Sequence, residues 1–574
     1  MALDDNAVPA TLIDVLRAQS VTRPNAVAFH FLGEGETITA SLTFSGLDRR
    51  AMQIGAELQR RFAQHDRLLL VALPGPEVIS GFLGVLYAGM IPVPVYPPQK
   101  ATMSATRRIA ADAEVSAVLT SRSMIDQLTT AGVRIADLFP TVVIDEPTTE
   151  GDAWRDPRLG SGDLAFLQYT SGSTGDPKGV MVAHGGLLTT IRDIDNAFRH
   201  NHDSVIVSWL PTFHDMGLIY GVLMPLFAGC TCYLMSPSAF LRRPLHWLHA
   251  LSRFGGTHSA APNFAYDLCV RKTTPEERAA LDLSHWLVAS NGAEPIREAT
   301  LLAFTGAFES AGFRFERFTP SYGLAEATLK VSTTRAEDPP LIISADADAL
   351  EEGRVVTSGG SGRPVRRLVG CGTSTIGAEI RIVDPFTAES CPPDRIGEIW
   401  VNSPSVAKGY WRRPDQTRQT FEAFTEDRHG PFLRTGDLGF LFAGELFITG
   451  RIKDLIVMRG RNYYPQDIEH AAESSNAAIR QGCGAAFQVP GDEEDRLVLL
   501  LEAQSKGLSD EELQEILRGV RGTVSRENGL ALDDIVILPA GTVLKTSSGK
   551  VRRAASRDEF LKGLEGAVAE WHRP

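Results

Sequence analysis

Cysteine is scarce and carries no pattern in this chain. The six residues Cys230, Cys232, Cys269, Cys371, Cys391 and Cys483 include no C-x-x-C pair and no histidine at metal-ligand spacing. That argues against a zinc site or a disulfide framework and fits a reducing compartment, the cytoplasm. Positive charge is also short: 57 Lys and Arg face 70 Asp and Glu, a net charge of −13, so wholesale binding to nucleic acid or to an anionic membrane surface is disfavoured. The N-terminus, MALDDNAVPA, is acidic and lacks the basic start and apolar run of a secretory signal, so no address is expected there. Two uncharged stretches, 78–99 and 216–241, have the length to span a bilayer. Gly84, Gly89, Pro92 and Pro94 break the first, however, and Gly229 and Pro237 the second. A buried helix followed by a buried strand is expected in each, without stable membrane insertion.

Several nucleotide and hydrolase signatures are missing as well. There is no G-x-x-x-x-G-K-[ST] loop and no G-x-G-x-x-G after a strand, so a P-loop NTPase or a Rossmann dehydrogenase is unsupported. The run SGSTG lacks the first glycine of the G-x-S-x-G nucleophile elbow. No internal repeat or low-complexity run interrupts the chain.

What is present is a large soluble globular sequence. At 574 residues and 43% apolar content it exceeds one ordinary core, so at least two domains are expected. From about Leu164 to Leu329, short apolar runs (LAFLQY, VIVSWL, TCYL, THSAA, WLVASN) alternate with helical patterns (GLLTTIRDIDNAF, the segment after Asp215, PLHWLHALSRF, the stretch after Pro295). That alternation belongs to βα units and doubly wound sheets. The block from about Thr43 to Pro98 reads the same way. Between about Arg335 and Arg367 the composition turns to acids, prolines and glycines around one strand-like run, LIIS, which marks an insertion. After Val369 the segments AEIRIVD, GEIWVN and GELFITG predict a β-rich subdomain. Beyond residue 450, DLIVM, QDIEHAAESS, GAAFQV, RLVLLLEA, DEELQEILRGVRGTVSRE and DIVIL suffice for a small α+β domain with its own core. The expected division is 1–450 and 451–574.

The strongest chemical element follows LAFLQY: Thr170, Ser171, Gly172, Ser173, Thr174, Gly175, Asp176, Pro177, Lys178, Gly179. Four hydroxyls, three glycines and a lysine can wrap triphosphate oxygens with backbone N–H groups, side chains and a positive charge. A plain Ser/Gly surface loop has the same composition. Taken singly, other candidates also have ordinary readings: Glu326 as an exposed helix-start acid, His214 as a satisfied core histidine, RTGDLG and GRIKD as turns.

Together, YTSGSTGDPKGV, SWLPTFHDMGL, SNGAEP, PSYGLAEATL, RTGDLG, GRIKDLIVMRG and LKTSSGKVRR resemble, in order and over most of the chain, the motifs of the adenylate-forming superfamily. The resemblance implies a phosphate loop at 170–178, an acyl and adenylate pocket bordered by His214, Asp215, Met216 and Gly217, and an adenine-binding strand end at Asn291, Gly292, Ala293 and Glu294. It further implies nucleotide contacts from Ser321, Tyr322, Gly323 and Leu324, with Tyr322 stacked on adenine, and Mg²⁺ held by Glu326. Asp437 would meet the ribose, Arg451 the ribose and phosphate region, Lys453 would be the hinge, and Lys550 the catalytic lysine of a mobile C-terminal domain. Thr170, His214, Glu326 and Lys550 are the implied catalytic set.

FLGVLYAGMIPVPVYPP, the HDMGL form and GRNYYPQDIE are more similar to fatty acyl-AMP ligases than to acyl-CoA synthetases or amino-acid adenylation domains. That family activates a fatty acid with ATP and Mg²⁺ and passes the acyl group to the phosphopantetheine thiol of an acyl carrier protein. The resemblance implies that the insertion, here 335–367 with LIIS as apolar anchor, restrains the C-terminal domain and disfavours free CoA; a disordered surface loop is the other reading of its acidic, glycine- and proline-rich composition. The alternatives are an acyl-CoA synthetase and a non-catalytic adenylate-binding protein. Arg459, Arg461, Arg552, Arg553 and Arg557 are candidate docking residues for an acidic carrier, with a solvated helix face as the other reading. Monomer is the default state.

Overall fold

The structure is a computed structural model and describes residues 9–34, 36–99, 102–135, 139–145, 151–171, 177–357, 364–458, 460–491, 494–504, 508–546 and 549–573. Among these, an eight-stranded sheet runs in the order Leu329–Thr333, Phe318–Leu324, Val288–Asn291, His258–Ala261, Val205–Ser208, Thr231–Met235, Val27–Gly33, Thr37–Thr43. Its six central strands are parallel and each outer strand is antiparallel to its neighbour. A second, parallel sheet joins Ile91–Pro94, Arg67–Val71, Ala117–Thr120 and Thr141–Val143. Strands such as VASN and LLLV are buried on both faces, which is why they read as continuous apolar runs.

The two uncharged stretches fold as a buried helix and a buried strand. The first gives Pro76–Tyr87 and Ile91–Pro94, and the second a run of helix from Met216 to Ala228 followed by Thr231–Met235. Among the described residues no helix is long and apolar enough to cross a membrane. One expectation is corrected: LAFLQY is not a strand of a βα unit. Leu164–Ser171 pairs antiparallel with Pro177–Ala183 as a separate two-stranded hairpin. Apolar content reveals a buried strand but not the direction of its partner, and here VMVA lies close enough in the chain to pair across the loop.

Glu379–Val383, Gly397–Asn402, Leu433–Phe442 and Glu445–Arg451 form the expected β-rich sheet. In the insertion, Ile342–Asp346 pairs with Val365–Val369, and Ile343 packs with Phe440 and Phe447 of that β-rich sheet. LIIS is therefore an apolar anchor. One apolar core draws on residues from Leu12 to Leu446, and a separate one on residues from Ile456 to Ile537. The latter covers one face of the sheet Ile479–Val489, Arg496–Ala503, Asp534–Pro539, Ala569–His572, and a smaller cluster around Phe487, Val498 and Leu500 covers the other. Its long helix, Asp510–Asn528, begins with a Ser509/Glu512 capping box and ends at Gly529 with φ 65°, both local sequence signals.

Candidate active site

A cavity of about 1240 Å³ lies where the hairpin of Leu164–Ser171 and Pro177–Ala183, the large sheet, the β-rich sheet and the C-terminal segment meet. Thr170, Lys178, His214, Asp215, Met216, Gly292, Ala293, Ser321, Tyr322, Gly323, Leu324, Glu326, Asp437, Arg451, Lys453 and Lys550 all line it. Of the hairpin, Thr170 and Lys178 are direct partners in register. Gly172, Ser173, Thr174 and Gly175 lie outside the described residues, as does the side chain of Ser171. Lys178 carries its ammonium 4.9 Å from the centre of the Tyr410 ring.

Strand register makes the next contact. In the hairpin of Leu433–Phe442 and Glu445–Arg451, Asp437 stands opposite Arg451, and Arg451 Nε reaches Asp437 Oδ1 at 2.8 Å. The Tyr322 hydroxyl donates to the other oxygen, Oδ2, at 2.7 Å. RTGDLG is thus part of a strand, and GRIKD is a strand end that runs into the Ile452–Asp454 turn; their pairing brings an acid and a base together beneath the Tyr322 phenol. Gly323 is needed in this corner, since a Cβ there would lie 1.6 Å from the Leu329 carbonyl oxygen.

Glu326 sits in a short 3-10 turn beyond Leu324 and accepts the Tyr410 hydroxyl at 2.8 Å. Tyr410 is a site residue that the sequence reading missed, because it is 84 positions away and belongs to no motif. His214 Nδ1 lies 2.7 Å from Asp215 Oδ1. Burial pushes Asp215 upward, but His214 beside it and Lys550 nearby outweigh that and hold the carboxyl at about 2. The segment then enters a buried π-helix, Met216–Leu223, a distortion common at functional sites. Gly217 does not face the cavity; a Cβ there would lie 2.1 Å from the Pro211 carbonyl oxygen, so its role is close packing.

Two members of SNGAEP also point elsewhere. Asn291 is fully buried and donates to Asn263 Oδ1 at 3.3 Å, while Glu294 accepts the Phe264 N–H at 2.5 Å and is raised by burial. Neither lines the cavity. Ala293 adopts φ 68°, a strained left-handed conformation for a non-glycine residue.

Lys550 comes from the other core. It stands in the cavity in a turn closed by Thr546 N–H to Lys550 O at 2.8 Å. Its side chain is open to cavity solvent but ringed by protein atoms. That crowding, then Arg451, lowers its pKa, opposed by Asp215, Asp437 and Glu294. Lys453 is lowered by the same kind of crowding and by Arg451.

The expected arginine cluster divides. Arg553 is tied to Glu469 at 2.6 Å and Asp454 at 3.2 Å, and Arg461 reaches Asp348 and Glu351 of the insertion. Arg553 is largely buried between its two acids, which corrects its assignment to a docking face, whereas Arg461 remains exposed. Arg459 lies outside the described residues, and Arg552 and Arg557 line the cavity.

Comparison with known proteins agrees with this geometry. The family model described as AMP-binding enzyme matches residues 16–411, and the Disco-interacting protein 2-like AMP domain matches 453–565. The medium-chain-fatty-acid–[acyl-carrier-protein] ligase JamA of Moorena producens is 43% identical over 98% of this chain and 96% of its own length. A putative fatty-acid–CoA ligase of Mycobacterium tuberculosis, FadD21, is 38% identical over 96% of this chain and 98% of its own. The fatty acyl-adenylate ligase from L. pneumophila, solved with acyl adenylate and pyrophosphate, is 38% identical, superposes with a TM-score of 0.75 and covers 98% of each chain. With a nucleotide-sized cavity built from the ordered motifs and a match of this extent, the chain belongs to the AMP-binding enzyme family, in its fatty acyl-AMP ligase branch.

Proposed function

We propose that this protein joins a medium- or long-chain fatty acid to AMP, releases pyrophosphate, and transfers the acyl group to the phosphopantetheine thiol of an acyl carrier protein. The observation that carries this reading is the convergence of Lys178, Glu326, the Asp437–Arg451 pair and Lys550 on one cavity of about 1240 Å³. That volume exceeds the usual range for a single small ligand, as nucleotide and acyl chain together require.

In the first step a carboxylate oxygen bonds to the α-phosphorus and the bond to the β-phosphate breaks, so two anions must approach each other. Lys178 and Lys550 offset that charge where it develops. His214 and Asp215 border the reacting carboxylate, and Thr170 offers its hydroxyl at the end of the phosphate hairpin. Tyr322, Ser321, Gly323, Leu324, Gly292 and Ala293 form the adenosine end, with Asp437 and Arg451 at the ribose.

Magnesium fits Glu326. The carboxylate lines the cavity, braced by Tyr410, and among the described residues no group of three or more His, Cys, Asp or Glu forms a closed cage. An ion bound by one carboxylate plus substrate phosphates is the magnesium pattern. Bound there, it supplies charge neutralisation at the phosphates. In the second step the carrier's thiol gives its proton to solvent, its sulfur bonds to the acyl carbon, and the bond from that carbon to the phosphate oxygen breaks, its electron pair leaving with AMP.

This reading includes a division at residue 450, with 451–574 as a mobile domain turning about Lys453 so that one site serves both steps. It also includes a monomeric, cytoplasmic enzyme that binds no nucleic acid. Transfer to free CoA is the second reading, favoured by the name of the FadD21 relative. The test is a product assay with Mg·ATP and a panel of fatty acids, run alone, with CoA, and with phosphopantetheinylated carrier, each product read by mass. Acyl-AMP formed alone and moved only to the carrier is the expected result. Efficient acyl-CoA formation establishes the synthetase, and ATP binding without pyrophosphate release a non-catalytic protein.

A further inference from the structure

Three arginines in the cavity wall have no part in the chemistry above. Arg108 lies on helix Met103–Asp112, Arg552 precedes helix Arg553–Leu561, and Arg557 lies within it. All three are exposed and line the same cavity as Pro177 and Lys178 of the phosphate hairpin. Helix Met103–Asp112 packs directly on strand Pro177–Ala183, and Arg552 follows Lys550 by two residues. The adenosine end of the cavity, at Tyr322, Asp437 and Arg451, is built from other elements.

Their neighbours are paired: Arg413 holds Asp112 at 2.9 Å, Arg412 holds Glu114, and Arg553 holds Glu469 and Asp454. Among the described residues Arg108 and Arg552 have no ion-pair partner, and Arg557 reaches only Asp558, at 3.9 Å. In a chain of net charge −13, three guanidiniums without a close ion pair in the wall that also carries Lys178 give this cavity a local charge of opposite sign. A guanidinium donates in a fork that matches phosphate oxygens bidentately.

We infer that Arg108, Arg552 and Arg557 bind the β- and γ-phosphates of ATP and form the exit site for pyrophosphate. This rests on the adenylation reading above. When the bond between the α-phosphorus and the bridging oxygen breaks, the electron pair stays on that oxygen and the leaving group gains charge without taking a proton. These arginines receive that charge, and acyl-AMP stays at the adenosine end.

The experiment supplies purified acyl-AMP to the full-length enzyme and follows two fates: reversal to ATP with added pyrophosphate, and transfer to the carrier. In the Arg108→Ala/Arg552→Ala/Arg557→Ala triple variant the KM for pyrophosphate is expected to rise about tenfold or more, given the strength of charge-assisted hydrogen bonds. Transfer to the carrier proceeds at the wild-type rate. Single Lys replacements keep the charge but not the fork, and recover only part of the affinity, which tests the site even where the triple variant fails to fold. An unchanged KM for pyrophosphate in folded variants overturns the inference. So does a selective fall in carrier transfer, which would make these arginines a docking surface. Wild-type enzyme that makes no ATP from acyl-AMP and pyrophosphate overturns the adenylation reading itself, a result distinct from normal wild-type reversal with insensitive variants.

Discussion

Arg366 of the insertion grips the C-terminal segment, alongside the reverse contact in which Arg461 reaches Asp348 and Glu351. Its guanidinium lies 2.7 Å from Asp467 and 5.7 Å from the centre of the Tyr464 ring, with Glu351 at 4.0 Å. The arginine side chain is 18% exposed and Asp467 38%, so solvent screens the ion pair and its worth is about 1 kcal/mol. The ring contact adds about 0.5–1 kcal/mol. If the insertion restrains the C-terminal domain against free CoA, Arg366→Ala shifts the balance toward the released arrangement by roughly ten- to thirtyfold. Acyl-CoA formed from Mg·ATP, fatty acid and CoA, measured by mass at early times, rises by up to that factor while acyl-AMP formation holds. Arg367→Ala is the control, because Arg367 pairs with Glu298 and Ser344 and does not reach the C-terminal segment. An Arg366→Ala enzyme with wild-type CoA rejection and an unchanged melting temperature refutes the clamp, as does an equal rise in Arg367→Ala.

Removing the Tyr410 hydroxyl (Tyr410→Phe) frees Glu326 from its brace; the KM for Mg·ATP is expected to rise about tenfold in a pyrophosphate-release assay, with the fold intact by circular dichroism. Lys550→Ala lowers pyrophosphate release by about 10²–10³, whereas acyl transfer from supplied acyl-AMP continues; matched losses in both steps contradict a first-step role. Because crowding lowers the pKa of Lys550, the adenylation rate of the wild type falls on the alkaline side at a pH below that of an ordinary lysine, and a rate flat up to the usual lysine range argues against it. Burial holds His184 at about 4 and His258 at about 3, below the ordinary 6.5. The unfolded chain therefore binds more protons in acid, and the stability each neutral ring contributes is complete above pH 6.5 and lost as pH falls through the folded values. The loss is about 3 kcal/mol per histidine between pH 6.5 and 4, and a urea midpoint that does not fall over that interval disproves it.

Much of the site was legible because its motifs are local. Strand ends, glycine turns and the residues just after them carry most of the chemistry, and a short window of sequence contains each one. The pairing of Asp437 with Arg451 needs only the recognition of a hairpin. What was not legible depends on partners. Tyr410 reaches Glu326 through tertiary packing with no spacing rule to announce it, and Arg553 reads as a surface charge until Glu469 and Asp454 are seen around it. LAFLQY shows the same limit for backbone. Its burial follows from composition, but its antiparallel partner had to be found in space.

On the proposed reading, covalent continuity links the nucleotide contact to the domain movement. Arg451 is the last residue of a strand whose register sets it opposite Asp437, and the chain passes at once into the Ile452–Asp454 turn that contains Lys453. Asp454, the final residue of that turn, accepts Arg553, the first residue of the helix after the Lys550 turn. A rotation about Lys453 that keeps Arg451 on Asp437 must therefore carry Asp454, Arg553 and Lys550 as one body, since the Arg553 bonds to Asp454 and Glu469 lie wholly on the moving side. Such a rotation would withdraw the Lys550 charge without breaking the Asp437–Arg451 pair. Arg553 is in this sense the residue that makes lysine and pivot move together. Arg553→Ala should slow adenylation severalfold or more through a misplaced Lys550, and Arg553→Lys, which restores charge but reaches both acids less well, should recover only part of the rate.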